Sequence, residues 1–151
     1  MATITLRPFG PDDPPTLEGW YEHDRAGLEA VMGVPLPDAL DCTMAFNALF
    51  QAQQEGRTIF LMADCDDRSV GFTILSDVTP AGDAGRPHIY VVPAERRHSF
   101  TVAKEGEAVA KKLGVRHLMV SINPENRRSR LFAKRLGYET VPHLILRKEL
   151  Q

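Results

Sequence analysis

Apolar and polar positions alternate along "TITLRPF", Thr3 to Phe9, as in a strand buried on one face, and the prolines from Pro8 to Pro15 end it. From Thr16 to about Met32 helix formers dominate, and between Asp38 and Glu55 the residues Leu40, Met44, Ala48, Leu49 and Ala52 recur at helical spacing. Two helices are therefore expected after the first strand. "RTIFLMADC" and "SVGFTILSDV", joined by "DDR", predict an antiparallel hairpin, and "RPHIYVVP" predicts a further strand. After Pro93 the period changes. Val102, Gly106, Val109, Ala110 and Leu113 are spaced for one face of a helix, and Gly114 suits its end. "RHLMVSIN" returns as a strand, Ser129, Phe132, Ala133 and Leu136 mark a short helix closed by Gly137, and "YETVPHLILRKEL" predicts a last strand. The expected order is β-α-α-β-β-β-α-β-α-β, an α/β fold built on a mixed, largely antiparallel sheet flanked by helices.

A chain of 151 residues is the usual size of one domain, so residues 1–151 are read as a single unit around one core. The 43% hydrophobic and 25% charged residues exclude a disordered or fibrous chain. A formal charge of -2 gives no overall attraction to nucleic acid or to a membrane surface, so neither is an expected partner and any phosphate site must be local. Cys42 and Cys65 lack the spacing of a zinc site and are expected as buried free thiols. Glu22, His23 and Asp24 are consecutive and diverge around a helix, so no metal site is expected there. "MATITLRPF" does not read as a leader and no apolar run approaches the length of a membrane span, which gives the expectation of a cytoplasmic protein. Exposed edge strands offer a contact for a homodimer.

The stretch "VVPAERRHSFTVAKEGEAVAKKLG", Val91 to Gly114, passes from strand through turn to helix. A helix N-terminus carries outward N–H groups and partial positive charge, and Arg96, Arg97 and His98 stand at this one. Together these make a candidate anion site. The same residues also suit a solvated, exposed turn.

"IYVVPAERRHSFTVAKEGEAVAKKLG" followed by "VSINPENRRSRLFAKRLGY" resembles the GNAT superfamily of acyl-CoA-dependent N-acetyltransferases. The resemblance spans nearly the whole chain and is most specific from Ile89 to Tyr138. It implies acetyl-CoA as cosubstrate and a primary amine as acceptor, on a small molecule or a peptide. It further implies that an Arg/Gln-x-x-Gly-x-Gly/Ala segment wraps the coenzyme's pyrophosphate, which here is Arg96, Arg97, His98, Ser99, Phe100 and Thr101. Ser99 and Thr101 replace two glycines of that pattern, crowding the backbone's approach to a ligand while offering hydroxyls to phosphate. Backbone amides near Val91 and Val92 would receive the acetyl carbonyl. Asn126 would touch the coenzyme, or serve only as a helix N-cap.

For the general base, His88 and Tyr90 project to one face of their strand by its two-residue period, and His88, with an ordinary pKa of about 6.5, is the better suited. Many relatives carry a tyrosine acid where this chain has Ala133. Trp20, Tyr21 and Met32 would line the acceptor side or simply pack a helix, and Arg127, Arg128 and Arg130 would meet the coenzyme's 3′-phosphate or coat a solvated face. Two readings follow: an N-acetyltransferase, or a GNAT-like coenzyme A-binding or regulatory domain without turnover. A nucleotide-binding redox fold is disfavoured by the lack of either glycine-rich phosphate motif.

Overall fold

Of the seven residues of β2 (Ile59–Cys65) all but Asp64 are buried, because helices cover both faces of the sheet in which it lies. The computed structural model describes residues 2–142 and 146–150. They fall into two units, Met1–Ser121 and Ile122–Gln151.

The first unit holds β1 (Ile4–Pro8), α1 (Pro14–Met32), α2 (Ala39–Gln54), β2, β3 (Arg68–Ser76), β4 (Asp83–Val91), a 3₁₀ turn over Pro93–His98, α3 (Ser99–Lys112) and β5 (His117–Met119). The strands lie in the order β1-β2-β3-β4-β5. The first four are antiparallel neighbours, and β5 runs parallel to β4. This is the mixed, largely antiparallel sheet expected from the sequence. On one face Phe60, Met62, Phe72, Ile74 and Tyr90 pack with Leu17 and Leu28 of α1 and Phe46 of α2. On the other, Ala63, Val70 and Val91 pack against Val102 of α3, and Leu61, Leu75 and Ala84 against Ala110.

Val70 and Phe72 are two residues apart yet face opposite sides. The register between β2 and β3 slips at Ala63/Asp64, and the extra residue in β3 reverses the alternation. Gly71 sits at this irregularity. A Cβ there would lie 2.1 Å from the Tyr90 carbonyl oxygen, so only glycine lets β3 and β4 approach so closely.

The residues whose spacing predicted α2 lie on two faces: Leu40, Met44 and Ala48 are exposed, while Leu49 packs inward with Cys42, Ala45, Phe46 and Phe50, and Ala52 is buried. Phe46 rests on the rings of Phe60 and Phe72, and this aromatic contact outweighs the exposed aliphatic positions. Both cysteines are buried and free, and burial pushes the Cys42 thiol up to about 11.

The second unit contains α4 (Arg127–Arg135). Asn126 caps it by accepting from the Ser129 N–H at 3.1 Å. The helix ends with Gly137 at φ 92° and with Tyr138 N–H bonded back to the Ala133 carbonyl, a glycine-dependent stop. Of the last strand expected over 138–150, residues 138–142 and 146–150 carry no regular structure, and 143–145 lie outside the described residues.

Candidate active site

The parallel pairing of β4 with β5 covers only Asp83, Ala84 and Gly85, matched to His117, Leu118 and Met119. Among the described residues, β4 beyond Gly85 continues to Val91 with β3 on one side alone. Val92 donates its N–H to the Val70 carbonyl at 2.8 Å, so the Val92 amide, expected at the acetyl site, is used by the sheet. Strand alternation turns the Ile89 and Val91 N–H groups the other way, toward the edge that β5 leaves uncovered. Such unpaired, fixed amides are the donors that a developing oxyanion requires.

On the α1 side of this edge stand His88 and Tyr90. His88 Nδ1 lies 2.6 Å from the Val31 carbonyl oxygen. A carbonyl only accepts, so Nδ1 carries a proton and the neutral ring leaves the Nε2 lone pair free. Tyr90 is buried, packed among Trp20 and Phe72, and its hydroxyl donates to Asp24 Oδ2 at 2.9 Å. Burial first, and then the Asp24 carboxylate, push the Tyr90 phenol above its ordinary value. Tyr90 therefore keeps its proton, and of the two residues expected as a base only His88 is suited to accept one.

Sequence reasoning weighed Asp24 only as a metal ligand. This residue interrupts α1 with non-helical angles, φ -147° and ψ 47°, and the helix kinks there. Its carboxylate also takes Arg96 at 3.4 Å. The only sequence trace of this arrangement is Gly27, one turn on, where a Cβ would lie 2.3 Å from Asp24 Oδ2.

The turn after β4 departs from the open anion site that the sequence suggested. His98 has right-handed helical angles, Ser99 bonds its N–H to the Arg96 carbonyl, and the 3₁₀ turn runs directly into α3. The N–H groups expected to face outward are thereby drawn into helical bonding, because no glycine opens the backbone at Ser99 or Thr101. The helical run begins instead at Pro93, which has no N–H to offer. Ser99 and Phe100 are half-buried and Thr101 is exposed along α3.

The arginines there are already paired, and His98 lies beside one of the same carboxylates. Glu95, buried at 6% exposure, receives Arg68 at 2.9 Å on Oε1, and Arg97 at 2.9 Å and His98 Nε2 at 3.3 Å on Oε2. The hydrogen bond from Arg68 holds the Glu95 carboxyl below the usual carboxylate range despite its burial. Neither Arg97 nor His98 makes a well-aligned hydrogen bond to Oε2. Glu95 was missed because its relation to Arg97 and His98 is local while its strongest partner, Arg68, is distant in sequence.

Trp20 and Tyr21 serve packing: Trp20 lies against Phe72 and Tyr90, and Tyr21 donates to the Leu36 carbonyl. A cavity of about 120 Å³ between α1 and α2 is lined by Glu18, Tyr21, Glu22, Ala39, Cys42 and Thr43. It includes neither His88 nor Tyr90. In the second unit Arg127, Arg128 and Arg130 are exposed on α4. Among the described residues no cluster suits a metal ion, and no helix is long and apolar enough to cross a membrane.

No family model matches the chain, and no curated protein matches it in sequence. Solved structures do. An acetyltransferase from Salmonella typhimurium that modifies the N-terminal serine of ribosomal protein L7/L12 superposes with a TM-score of 0.74 at 13% identity, over 89% of this chain and 80% of that one. Spermidine N-acetyltransferase from Vibrio cholerae, solved with CoA and spermine, gives 0.75 at 12% identity over 98% and 88%. The aminoglycoside N-acetyltransferase AAC(6′)-Iy with CoA gives 0.67 at 16% identity over 99% and 96%. At such identities the likeness concerns architecture, and with the sheet order and the uncovered end of β4 it establishes that the chain has the fold of the GNAT N-acetyltransferases.

Proposed function

We propose that residues 1–151 act as one acetyltransferase domain that moves an acetyl group from acetyl-CoA to a primary amine. The observation that carries this reading is the edge of β4 left uncovered among the described residues, where the Ile89 and Val91 N–H groups share a strand with a histidine whose Nε2 has no partner among those residues. The CoA complexes of the similar structures support acetyl-CoA as the cosubstrate.

In the reaction the amine nitrogen bonds to the acetyl carbon and the carbon–sulfur bond breaks. The amine gives up a proton and the departing thiolate takes one. The Val91 N–H, with Ile89 behind it, donates to the carbonyl oxygen as it becomes an oxyanion. His88 Nε2 takes the amine's proton, held in register by the Nδ1–H bond to Val31. With Ala133 in place of a tyrosine acid, water is the proton source for the thiolate. Arg96, Arg97, His98 and the Ser99 and Thr101 hydroxyls would hold the pyrophosphate after the arginines and His98 leave their carboxylates.

A second reading, a coenzyme A-binding domain without turnover, is favoured by one observation: the turn from Pro93 to His98 is closed and its cations are paired internally. Calorimetric titration with acetyl-CoA, followed by thiol release against a panel of primary amines, separates the two. Binding with thiol release is the expected result; binding without release supports the second reading; no binding at millimolar acetyl-CoA overturns both.

A further inference from the structure

Asp24 is built into α1 in a way that its bond to Tyr90 alone does not explain. The helix breaks its regular geometry at this residue, and Gly27 leaves out the side chain that would collide with the carboxylate. Tyr90 fixes Oδ2 from the strand side at 2.9 Å. Oδ1 has no hydrogen-bond partner among the described residues, and the side chain keeps 18% of its exposure. A buried phenol needs one acceptor; it does not need an anionic one with a second, unbonded oxygen.

The group that Asp24 attracts is already visible. Arg96, itself half exposed, lays its guanidinium 3.4 Å from Oδ2, at the long limit of a hydrogen bond. It is a loosely held internal cation on a fixed carboxylate, and a cation reaching both oxygens would bind better. The position of Asp24 also matters. It lies one tyrosine side chain away from the β4 backbone whose amides the reading above assigns to the acetyl group.

We propose that Asp24 is the specificity-determining residue for an acceptor that carries a second cationic group apart from its reacting amine. This rests on the acetyltransferase reading above. The acceptor's distal ammonium or guanidinium displaces Arg96 from Asp24, and its reacting amine then lies toward His88 and the edge of β4. Arg96, once released, adds its charge to the pyrophosphate side, so that acceptor and cosubstrate do not compete for it.

The test compares an α,ω-diaminoalkane with the monoaminoalkane of the same chain length, in wild type and in Asp24→Asn. The asparagine oxygen still accepts from Tyr90, and thermal unfolding checks that the fold survives. Wild type should favour the diamine in kcat/KM by roughly tenfold or more, the size of one charge-assisted contact, and Asp24→Asn should lose most of that ratio. A merely structural Asp24 would leave the ratio unchanged. An unaltered ratio in Asp24→Asn, or no preference in wild type, overturns the proposal. Calorimetric titration of the diamine alone keeps the two readings apart. If no amine is acetylated, the acetyltransferase reading fails; diamine binding by wild type that Asp24→Asn loses then still upholds the cation site, and equal binding or none by both proteins rejects it.

Discussion

The two ends of the segment from His88 to Ser99 differ in what they leave available. At the strand end, two amides face an uncovered edge and His88 presents a free nitrogen, all held by the sheet and by α1. At the turn end, the backbone is wound into continuous helix and the side-chain cations are taken up by Glu95 and Asp24. On the acetyltransferase reading proposed above, the acetyl-transfer half of the site is preformed, whereas the phosphate-binding half would first exchange internal carboxylates for ligand. Groups set by sheet geometry persist without a ligand, and flexible cations find the nearest anion when no glycine-rich loop holds the backbone open.

The largest effect is expected from breaking the preformed half. Phe72 stacks on Tyr90 and meets Trp20, Phe46 and Phe60, so Phe72→Ala should lose about 3 to 5 kcal/mol of stability. Urea unfolding measures this, and a loss below about 1 kcal/mol would show that these rings do not hold the face. His88→Gln should next lower the acetylation rate by roughly 10² or more with acetyl-CoA affinity unchanged. A rate within threefold of wild type would remove His88 from the chemistry.

The preformed half was partly legible in the sequence. Period-two spacing put His88 and Tyr90 on one face, and the apolar run "RTIFLMADC" marked β2 as a strand of the hairpin. The kink at Asp24 was not legible, since nothing local in "EHDRAGLE" forbids a regular helix and the partners of Asp24, Tyr90 and Arg96, are distant in sequence. The turn was legible in composition but not in conformation. The missing glycines at Ser99 and Thr101 signalled crowding, yet the outcome, helix continued back to Pro93, comes with Glu95 of the turn holding Arg68 of β3, a pair distant in sequence. Of the spaced residues that predicted α2, Leu49 and Ala52 turn inward and Leu40, Met44 and Ala48 do not, and Phe46, which stacks in the core, carried no signal in that spacing.

A smaller effect sharpens the other half. Glu95→Gln removes the negative charge that occupies Arg97 and His98, and should tighten coenzyme A binding by roughly tenfold, about one charge-assisted contact. Calorimetry at fixed salt measures it, and weaker binding in a folded variant would mean that Glu95 organises the phosphate site instead of obstructing it.

The smallest effect concerns an ion pair with no ligand to serve. Burial would raise the Asp13 carboxyl, but Arg7, bonded at 2.7 and 2.8 Å, and the Gly10 N–H hold it below its ordinary value of 3.8. With the folded pKa depressed, the pair's stabilisation is present above about pH 4 and is lost as pH falls through the folded value. Urea midpoints should therefore drop on acidification in wild type and drop less in Asp13→Asn; parallel curves would refute the assignment.

The contrast between a preformed strand edge and a self-occupied turn is tested most directly by a crystal structure of the protein with acetyl-CoA. The acetyl carbonyl oxygen should lie within hydrogen-bonding distance of the Val91 N–H, the surroundings of His88 should be unchanged, and Arg97 and His98 should have left Glu95 for the pyrophosphate. Acetyl-CoA bound away from Val91, or a pyrophosphate seated while Glu95 keeps both partners, would contradict the account.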